Sequence, residues 1–331
     1  MTPDTDRVLL DLNDLKAAAP MFTAPLTPQM RALLDNLRRT ALPPLHAMPV
    51  EQARAAYRAG VGAMELPHGA VERVDDFGIP GPAGPIRARL WAPSHHPGLP
   101  VLLYLHGGGF VVGGIDTCEG LCRQIALQSG AAVVAIDYRL APEHKFPAGL
   151  DDCFAALQWL VRDGATMGLD TKRVAVGGDS GGGTLAASTA LMARDAGIRL
   201  ALQLLFYPSV QTSIGTPSLA RYAQDLPLST ELMRWFNHNA HIKGEQLDWR
   251  REPLKATSHA GVAPAWIGLA QCDALVDDGH LYAGKLREAG VPVELREWPG
   301  VIHDFINMSR FVPQATEAHA AAAQALHRAF A

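Results

Sequence analysis

A serine between glycines is the strongest chemical signal in the sequence. Ser180 lies in the glycine-rich run at 177–183, directly after the apolar stretch Val174–Val176 and before a helix-forming stretch. Glycines two residues before and two residues after the serine allow the tight strand-to-helix turn of a nucleophile elbow. That turn would lift the hydroxyl above a sheet, at the positive end of the helix dipole. A phosphate-binding glycine turn remains the other interpretation of this motif alone.

A second glycine run could supply hydrogen-bond donors. The sequence His-Gly-Gly-Gly-Phe at 106–110 follows the apolar stretch Val101–Leu105. Consecutive glycines free the backbone to aim N–H groups at one point, as the oxyanion of a tetrahedral intermediate requires. The amide of Gly181, directly after the serine, would complete such a hole. A flexible loop is the alternative, and His106 is expected to brace the loop through a hydrogen bond.

A base and an acid must then follow the serine in the order acid, histidine. Asp273 comes after the apolar stretch Ala265–Ala270, and His303 comes after Val291–Leu295 by way of a Pro-Gly turn. The carboxyl ends of parallel strands meet at one edge of a sheet, where such folds bind ligands. We therefore expect both side chains to lie close to Ser180.

Four other titratable side chains are weaker candidates. His280 is expected to begin a helix and to point sideways, and Asp277 and Asp278 are expected in the first helical turn, where carboxylates offset the helix dipole. Asp304 adjoins His303, but neighbouring side chains diverge, so its carboxylate is not expected to reach the imidazole nitrogen.

The elements that position these residues alternate along the chain. A hairpin is predicted around Gly81–Gly84, and apolar runs follow that suit strands buried on both faces of a sheet. The predicted strands are Val71–Phe77, Ile86–Ala92, Val101–Leu105, Ala131–Ile136, Val174–Val176, Leu200–Phe206, Ala265–Ala270 and Val291–Leu295. The predicted helices between and after them are Glu119–Gln128, Leu150–Arg162, Gly182–Ala196, Leu232–His241, Gly279–Ala289 and Ala315–Ala331. This alternation predicts an α/β fold with a mainly parallel sheet flanked by helices.

Two stretches depart from this rhythm. Residues 1–70 have helical patterns broken by prolines, with Thr27 and Pro28 as a helix start. Residues from about 209 to 240 have no strand pattern, and an insertion there would lie over the carboxyl ends of the strands. Residues 71–331 are expected to form the main domain.

Composition excludes several classes of protein. The 331 residues are 48% apolar and include 29 basic and 33 acidic residues, for a net charge of −4. A large core can form, and without a Lys/Arg cluster no nucleic-acid partner is expected. No apolar run reaches the roughly 20 residues needed to cross a bilayer, and aspartates occupy the places of a signal peptide's basic and apolar regions. The four cysteines and the histidines lack metal-ligand spacing, so neither a metal nor a cofactor is expected, and a cytoplasmic location is predicted.

Taken together, the motifs resemble the hormone-sensitive-lipase-like (family IV) bacterial carboxylesterases of the α/β-hydrolase fold. The resemblance covers about residues 65–330. Its motifs are His106–Phe110, Asp137–Glu143, Phe146–Ala148, Gly178–Ser180, Asp273–Asp277 and His303–Phe305. It implies Ser180, Asp273 and His303 as a catalytic triad and the amides of Gly108, Gly109 and Gly181 as the oxyanion hole. It also implies that residues 1–70 and the insertion form a helical cap.

The chain departs from the family pattern at three positions. Gly181 stands where the family usually has alanine, and Ala274 stands where it usually has proline. Asp304 replaces a small residue beside the histidine, and its negative charge is expected to raise the pKa of His303. None of the three changes removes a catalytic group.

The expected function is hydrolysis of small esters with short to medium acyl chains through a covalent acyl-enzyme. An amidase or formamidase with the same triad is the nearest alternative. A non-catalytic binding protein is a second one, since the gibberellin receptors resemble this family but lack the histidine. Met21, Phe22, Phe110 and Tyr207 are candidate pocket walls, although core packing explains an aromatic equally well. The last strand has the pattern of an exposed edge, which makes a homodimer through that strand plausible.

Overall fold

An eight-stranded sheet organises the fold. The structure is a computed structural model that describes residues 25–40, 42–212, 215–224, 226–241 and 248–331. The strands are β1 (Arg73–Gly81), β2 (Gly84–Ala92), β3 (Leu99–Leu105), β4 (Ala132–Ile136), β5 (Leu169–Asp179), β6 (Gln203–Phe206), β7 (Ala265–Cys272) and β8 (Val293–Ile302). Their order in the sheet is β1-β2-β4-β3-β5-β6-β7-β8.

The sheet is mainly parallel. β1 and β2 form the predicted hairpin, with Gly81 opposite Gly84 at its turn, and β2 pairs antiparallel with β4. All the remaining neighbours pair in parallel. The predicted α/β-hydrolase fold is therefore confirmed.

Helices cover the sheet and bury its central strands. The helices are α1 (Pro28–Arg39), α2 (Val50–Met64), α3 (Ile115–Ser129), α4 (Ala148–Asp163), α5 (Gly181–Asp195), α6 (Pro217–Tyr222), α7 (Thr230–Ala240), α8 (Val276–Glu288) and α9 (Pro313–Phe330). Every residue of β4 and of β6 is buried. Because both faces are covered, these strands carry continuous apolar runs, and each buried Val or Leu contributes about 1.5–3 kcal/mol.

Two predicted strands differ most from the structure in their boundaries. β5 begins at Leu169, because the polar residues Asp170–Arg173 continue the strand at its exposed start, where no apolar pattern marks it. The predicted turn at Pro299–Gly300 lies inside β8, which keeps pairing with β7 through a register shift between Ala270 and Cys272. His303 thus directly follows a strand end.

The N-terminal segment and the insertion contain the expected helices. The Thr27 side chain accepts a hydrogen bond from the Met30 amide and starts α1. Ser229 caps α7 in the same way. The described residues between β6 and β7 form no strand. Residues 1–24 of the N-terminal segment, with Met21 and Phe22, lie outside the described residues. No helix in the described part of the chain has the length and apolar character to cross a membrane.

The turn from β5 to α5 leaves no room for side chains at two of its glycines. A Cβ at Gly178 would lie 2.5 Å from the carbonyl oxygens of Gly182 and Leu105, and one at Gly182 would overlap Leu105 O. Ser180 between them has a φ of 54°, in the left-handed region that few non-glycine residues adopt. A Cβ at Gly181 would lie 3.3 Å from its nearest neighbour, a tight but adjustable distance.

Two glycine-to-alanine variants of this turn should therefore differ in stability. Gly178→Ala should lower the free energy of unfolding by about 1–3 kcal/mol or more, because its methyl group meets backbone on both sides. Gly181→Ala should change it by less than about 1 kcal/mol, since it lies at the helix start and gains helix propensity. Urea denaturation of both variants beside the wild type measures this difference. Equal losses in the two variants would contradict the account of the turn.

Candidate active site

The structure brings the three predicted triad residues together at the carboxyl edge of the sheet. Ser180 follows β5, Asp273 follows β7, and His303 follows β8. His303 Nε2 lies 2.9 Å from Ser180 Oγ, and His303 Nδ1 lies 2.7 Å from Asp273 Oδ2. Each imidazole nitrogen thus faces a different partner, in the arrangement that lets a hydroxyl pass its proton to a histidine.

Backbone hydrogen bonds hold Ser180 and Asp273, the two residues that His303 contacts. The Ser180 amide donates to Phe206 O at 2.9 Å, and the Thr184 amide donates to Ser180 O at 3.0 Å. The Leu275 amide donates to Asp273 Oδ1 at 2.9 Å, so both oxygens of this buried carboxylate have partners. The serine and the acid therefore each have one orientation.

The imidazole of His303 is held by packing and by charge. The Tyr207 ring lies beside it, with 4.6 Å between the ring centroids. Tyr207 is fully buried, is not among the cavity-lining residues and supports the histidine from the core, so core packing, the alternative to a pocket wall, describes it. Burial lowers the pKa of His303, but the charge and hydrogen bond of Asp273, followed by the charge of Asp304, raise it by more.

The predicted oxyanion-hole residues lie beside the serine. A Cβ on Gly181 would be 3.3 Å from both the N and the Cα of Gly109, so the glycine loop and the elbow touch. Gly181 is the first residue of α5, where an amide has no intrahelical acceptor. Gly108 and Gly109 have φ values of 109° and 57°, which favour glycine. All three line one cavity with Ser180 and His303.

His106 braces this loop, as predicted. Its Nδ1 lies 2.8 Å from Gly107 O, and its ring stacks on Tyr138 with 4.3 Å between centroids. The Tyr138 hydroxyl donates to His106 O at 2.7 Å.

Asp179 holds the glycine loop against the elbow, a role that the sequence did not reveal. Its Oδ1 accepts from the Tyr104 hydroxyl at 2.7 Å and from the Gly107 amide at 3.0 Å. A Cβ on Gly107 would overlap this carboxylate. Burial, followed by the charge of Asp304, raises the pKa of Asp179 to about 7. The middle residue of Gly-Asp-Ser was the available signal, although nothing in the sequence paired it with Tyr104.

The weaker candidates lie away from the imidazole nitrogens. His280 lies in α8 and contacts Glu297 at 2.8 Å. Asp277 and Asp278 lie in the first turn of α8, as predicted, but they also hold the insertion. Asp277 accepts from the Ser218 amide at 2.8 Å, and Asp278 accepts from the Val210 amide at 3.1 Å.

Asp304 is turned away from the Nδ1 and Nε2 contacts of its neighbour and is held by two other side chains. It accepts from the Tyr57 hydroxyl at 3.3 Å and from the Asn307 amide group at 2.6 Å. Tyr57 belongs to α2, so the N-terminal segment reaches the residue next to His303. Burial raises the pKa of Asp304, partly offset by the charge of His303 and by these hydrogen bonds.

A cavity of about 600 Å³ opens in front of Ser180 and His303. Its walls come from the sheet edge, from α1 and α2, and from the insertion, and most of the side chains are apolar. Phe110 lines it, as predicted. Phe236 of α7 packs so closely on Gly109 that a Cβ there would overlap its ring.

Comparison with known proteins agrees with this geometry. The family model described as alpha/beta hydrolase fold matches residues 102–307, more than half of the chain. The chain is 42% identical to the esterase LipI of Mycobacterium tuberculosis over 254 residues, which are 74% of this chain and 79% of that protein. It is 36% identical to an ethyl acetate hydrolase of Pseudomonas putida over 292 residues, 86% and 92% of the two chains.

Solved structures show the same similarity. An α/β-hydrolase enzyme from the metagenome of Lake Arreo, Spain, is 38% identical, with a TM-score of 0.89 over 92% of this chain and 98% of that one. The esterase of Pyrobaculum calidifontis is 37% identical, with a TM-score of 0.85 over 92% and 100%. The chain therefore belongs to the hormone-sensitive-lipase-like carboxylesterases of the α/β-hydrolase fold, the family that its motifs predict.

Proposed function

We propose that this carboxylesterase hydrolyses small esters with short to medium acyl chains, with Ser180 as nucleophile, His303 as base and Asp273 as the acid that orients it. The observation that carries the proposal is the unbroken series of contacts from Asp273 through His303 to Ser180, at the wall of a cavity. Esterase names among the relatives support the reaction class.

The reaction would proceed through an acyl-enzyme. Ser180 Oγ attacks the ester carbonyl while His303 Nε2 takes its proton, and the tetrahedral oxyanion accepts hydrogen bonds from the amides of Gly108, Gly109 and Gly181. His303 then gives the proton to the leaving alcohol. Water, deprotonated by the same nitrogen, attacks the acyl-enzyme and releases the acid. Asp273 keeps the proton on Nδ1 and stabilises the imidazolium.

Two segments would cap the site. We assign this role to residues 1–70 and about 209–240, because α1, α2 and α7 all contribute to the wall of the cavity. A volume of about 600 Å³ holds a small ester and lies within the range of ordinary ligand pockets. It supports a preference for short to medium acyl chains.

Replacing Ser180 tests the reaction directly. Ser180→Ala should lower kcat on p-nitrophenyl butyrate by about 10⁶-fold, since the triad acts as a unit. Asp273→Asn should lower it by roughly 10⁴-fold, because the wrong imidazole tautomer then prevails. Ser188→Ala, which changes a buried serine of the helix that follows Ser180, is the matched control and should keep full activity.

An active Ser180→Ala enzyme would exclude this nucleophile. A folded wild type that cleaves anilides but no ester would favour the amidase alternative, and one that cleaves neither would favour a binding role.

The pH dependence of the reaction should report on Asp304. His303 must be neutral to accept a proton, so the acidic limb of kcat/KM follows its pKa. Asp304 raises that pKa, so Asp304→Asn should move the acidic limb to lower pH. Asparagine also tolerates the positive φ of this position. The exposed charge change Glu288→Gln serves as control. An unchanged pH–rate profile for Asp304→Asn would remove Asp304 from the set of groups that tune the base.

The edge of the sheet and the cysteines bear on assembly and location. We propose a homodimer that pairs through β8, because β8 ends the sheet and carries exposed residues at Arg296 and Glu297. Sedimentation velocity at micromolar concentration should then show a dimer, and a monomer alone would reject the interface.

We also place the protein in the cytoplasm, since all four of its cysteines are free and buried.

A further inference from the structure

Arg251 is a buried cation at the wall of the active-site cavity. Its exposed fraction is 4%, and it lines the same cavity as Ser180 and His303. The guanidinium carbon lies 4.5 Å from the centre of the Phe110 ring. Phe110 in turn lies 3.4 Å from the place of a Cβ on Gly181. One aromatic ring therefore separates Arg251 from the elbow.

This guanidinium lacks the partners that other enclosed arginines have. Arg139 pairs with the buried Asp152 at 2.8 Å, and Arg89 pairs with Asp76 at 2.8 Å. In the part of the chain that the structure describes, Nε and Nη1 of Arg251 are buried without any hydrogen-bond partner. An unpaired buried charge costs several kcal/mol, and an anionic ligand would offset that cost.

The nearest acids do not fill this need. Glu252 accepts from Thr212 at 2.7 Å and from Lys255 at 2.8 Å. Asp278 accepts from Val210 and from the Gln211 side chain at 3.0 Å. Burial lowers the pKa of Arg251 to about 10, so the group remains a cation at neutral pH.

The carboxyl groups of the cavity wall repel an anionic ligand less than exposed carboxylates would. Asp179 and Asp304 each accept hydrogen bonds from neighbouring groups. Burial raises the pKa of Asp179 to about 7 and raises that of Asp304. Burial likewise raises the pKa of Asp278 to about 7. With a pKa of about 7, Asp179 and Asp278 are less negative near neutral pH than exposed carboxyls, whereas the arginine keeps its full charge.

A small second cavity meets the other side of Arg251. It holds about 20 Å³, enough for roughly one water molecule, and His241 also lines it. Both ring nitrogens of His241 lack partners in the described part of the chain. One water there could satisfy part of the guanidinium, which leaves the large cavity for a ligand.

We propose that Arg251 binds a carboxylate on the ester substrate, so that the preferred substrates are monoesters that carry a free acid group. This deepens the proposed esterase function and rests on it. One cation balances one carboxylate charge, and a hydrogen bond from a guanidinium to a carboxylate is of the strong, charge-assisted kind. The largely apolar cavity would hold the carbon chain between the acid and the ester.

Matched substrates test the selectivity. Mono-p-nitrophenyl glutarate compared with p-nitrophenyl pentanoate places the charge on the acyl side, and γ-acetoxybutyrate compared with butyl acetate places it on the alcohol side. In at least one pair, Arg251→Met should lower the ratio of kcat/KM for the anionic over the neutral ester by about tenfold or more, as expected for a lost charge-assisted hydrogen bond. Arg251→Lys should keep part of the ratio.

Arg250→Met is the matched control. Arg250 is the preceding residue, pairs with Asp248 at 2.7 Å and is not among the cavity-lining residues, so the same charge change there should leave both ratios unchanged. Unchanged ratios in both substrate pairs for Arg251→Met would overturn the proposal. If Arg251→Met lowered kcat/KM only for the neutral esters, this would likewise show that Arg251 only braces Phe110.

A binding measurement separates this inference from the esterase proposal. Glutarate should raise the melting temperature of the wild type but not that of Arg251→Met, whether or not esters are cleaved. Without ligand, Arg251→Met should melt at the same or a higher temperature, because the variant removes an unpaired buried charge. Equal glutarate shifts in the two proteins, or a clearly lower melting temperature of unliganded Arg251→Met, would contradict the carboxylate site.

Discussion

The close packing of backbone at the β5–α5 turn is the constraint on which the site depends. The carbonyl oxygens of Gly182 and Leu105 fill the space that a side chain at Gly178 would need, and those of Leu105 and His106 fill the space at Gly182. The turn closes with Ser180 in a left-handed conformation, which lifts its hydroxyl above the sheet. The surrounding parallel sheet stabilises the strained backbone of Ser180, because β5 pairs on both sides, with β3 and with β6.

A second layer of contacts adjusts the chemistry of the turn. Asp179 ties the glycine loop at 106–110 to the elbow, and Asp304 adds negative charge near His303. Both carboxyls are buried, and burial raises the pKa of each. The negative charge around His303 therefore decreases as pH falls, because these neighbours lose their charge when they are protonated.

Local patterns in the sequence predicted most of the fold and the members of the site. Apolar runs and glycine spacing are local properties, so the strands, the elbow and the order of Ser180, Asp273 and His303 could be found without coordinates. Strand ends were missed where polar residues continue a strand, as at Asp170–Arg173. Contacts between distant segments, such as Tyr57 with Asp304 or Arg251 with Phe110, follow no local pattern, because they depend on how the N-terminal segment and the insertion settle on the sheet.

The packing of Phe236 on Gly109 links the segment between β6 and β7 to the proposed active site. The ring belongs to the insertion, whereas the glycine belongs to the loop beside Ser180. An exchange of the insertion with that of a relative, as in chimaeric enzyme engineering, would therefore alter turnover along with substrate range. A chimaera that takes α7 and the glycine loop from the same parent enzyme would preserve this contact. The two segments should therefore be exchanged together.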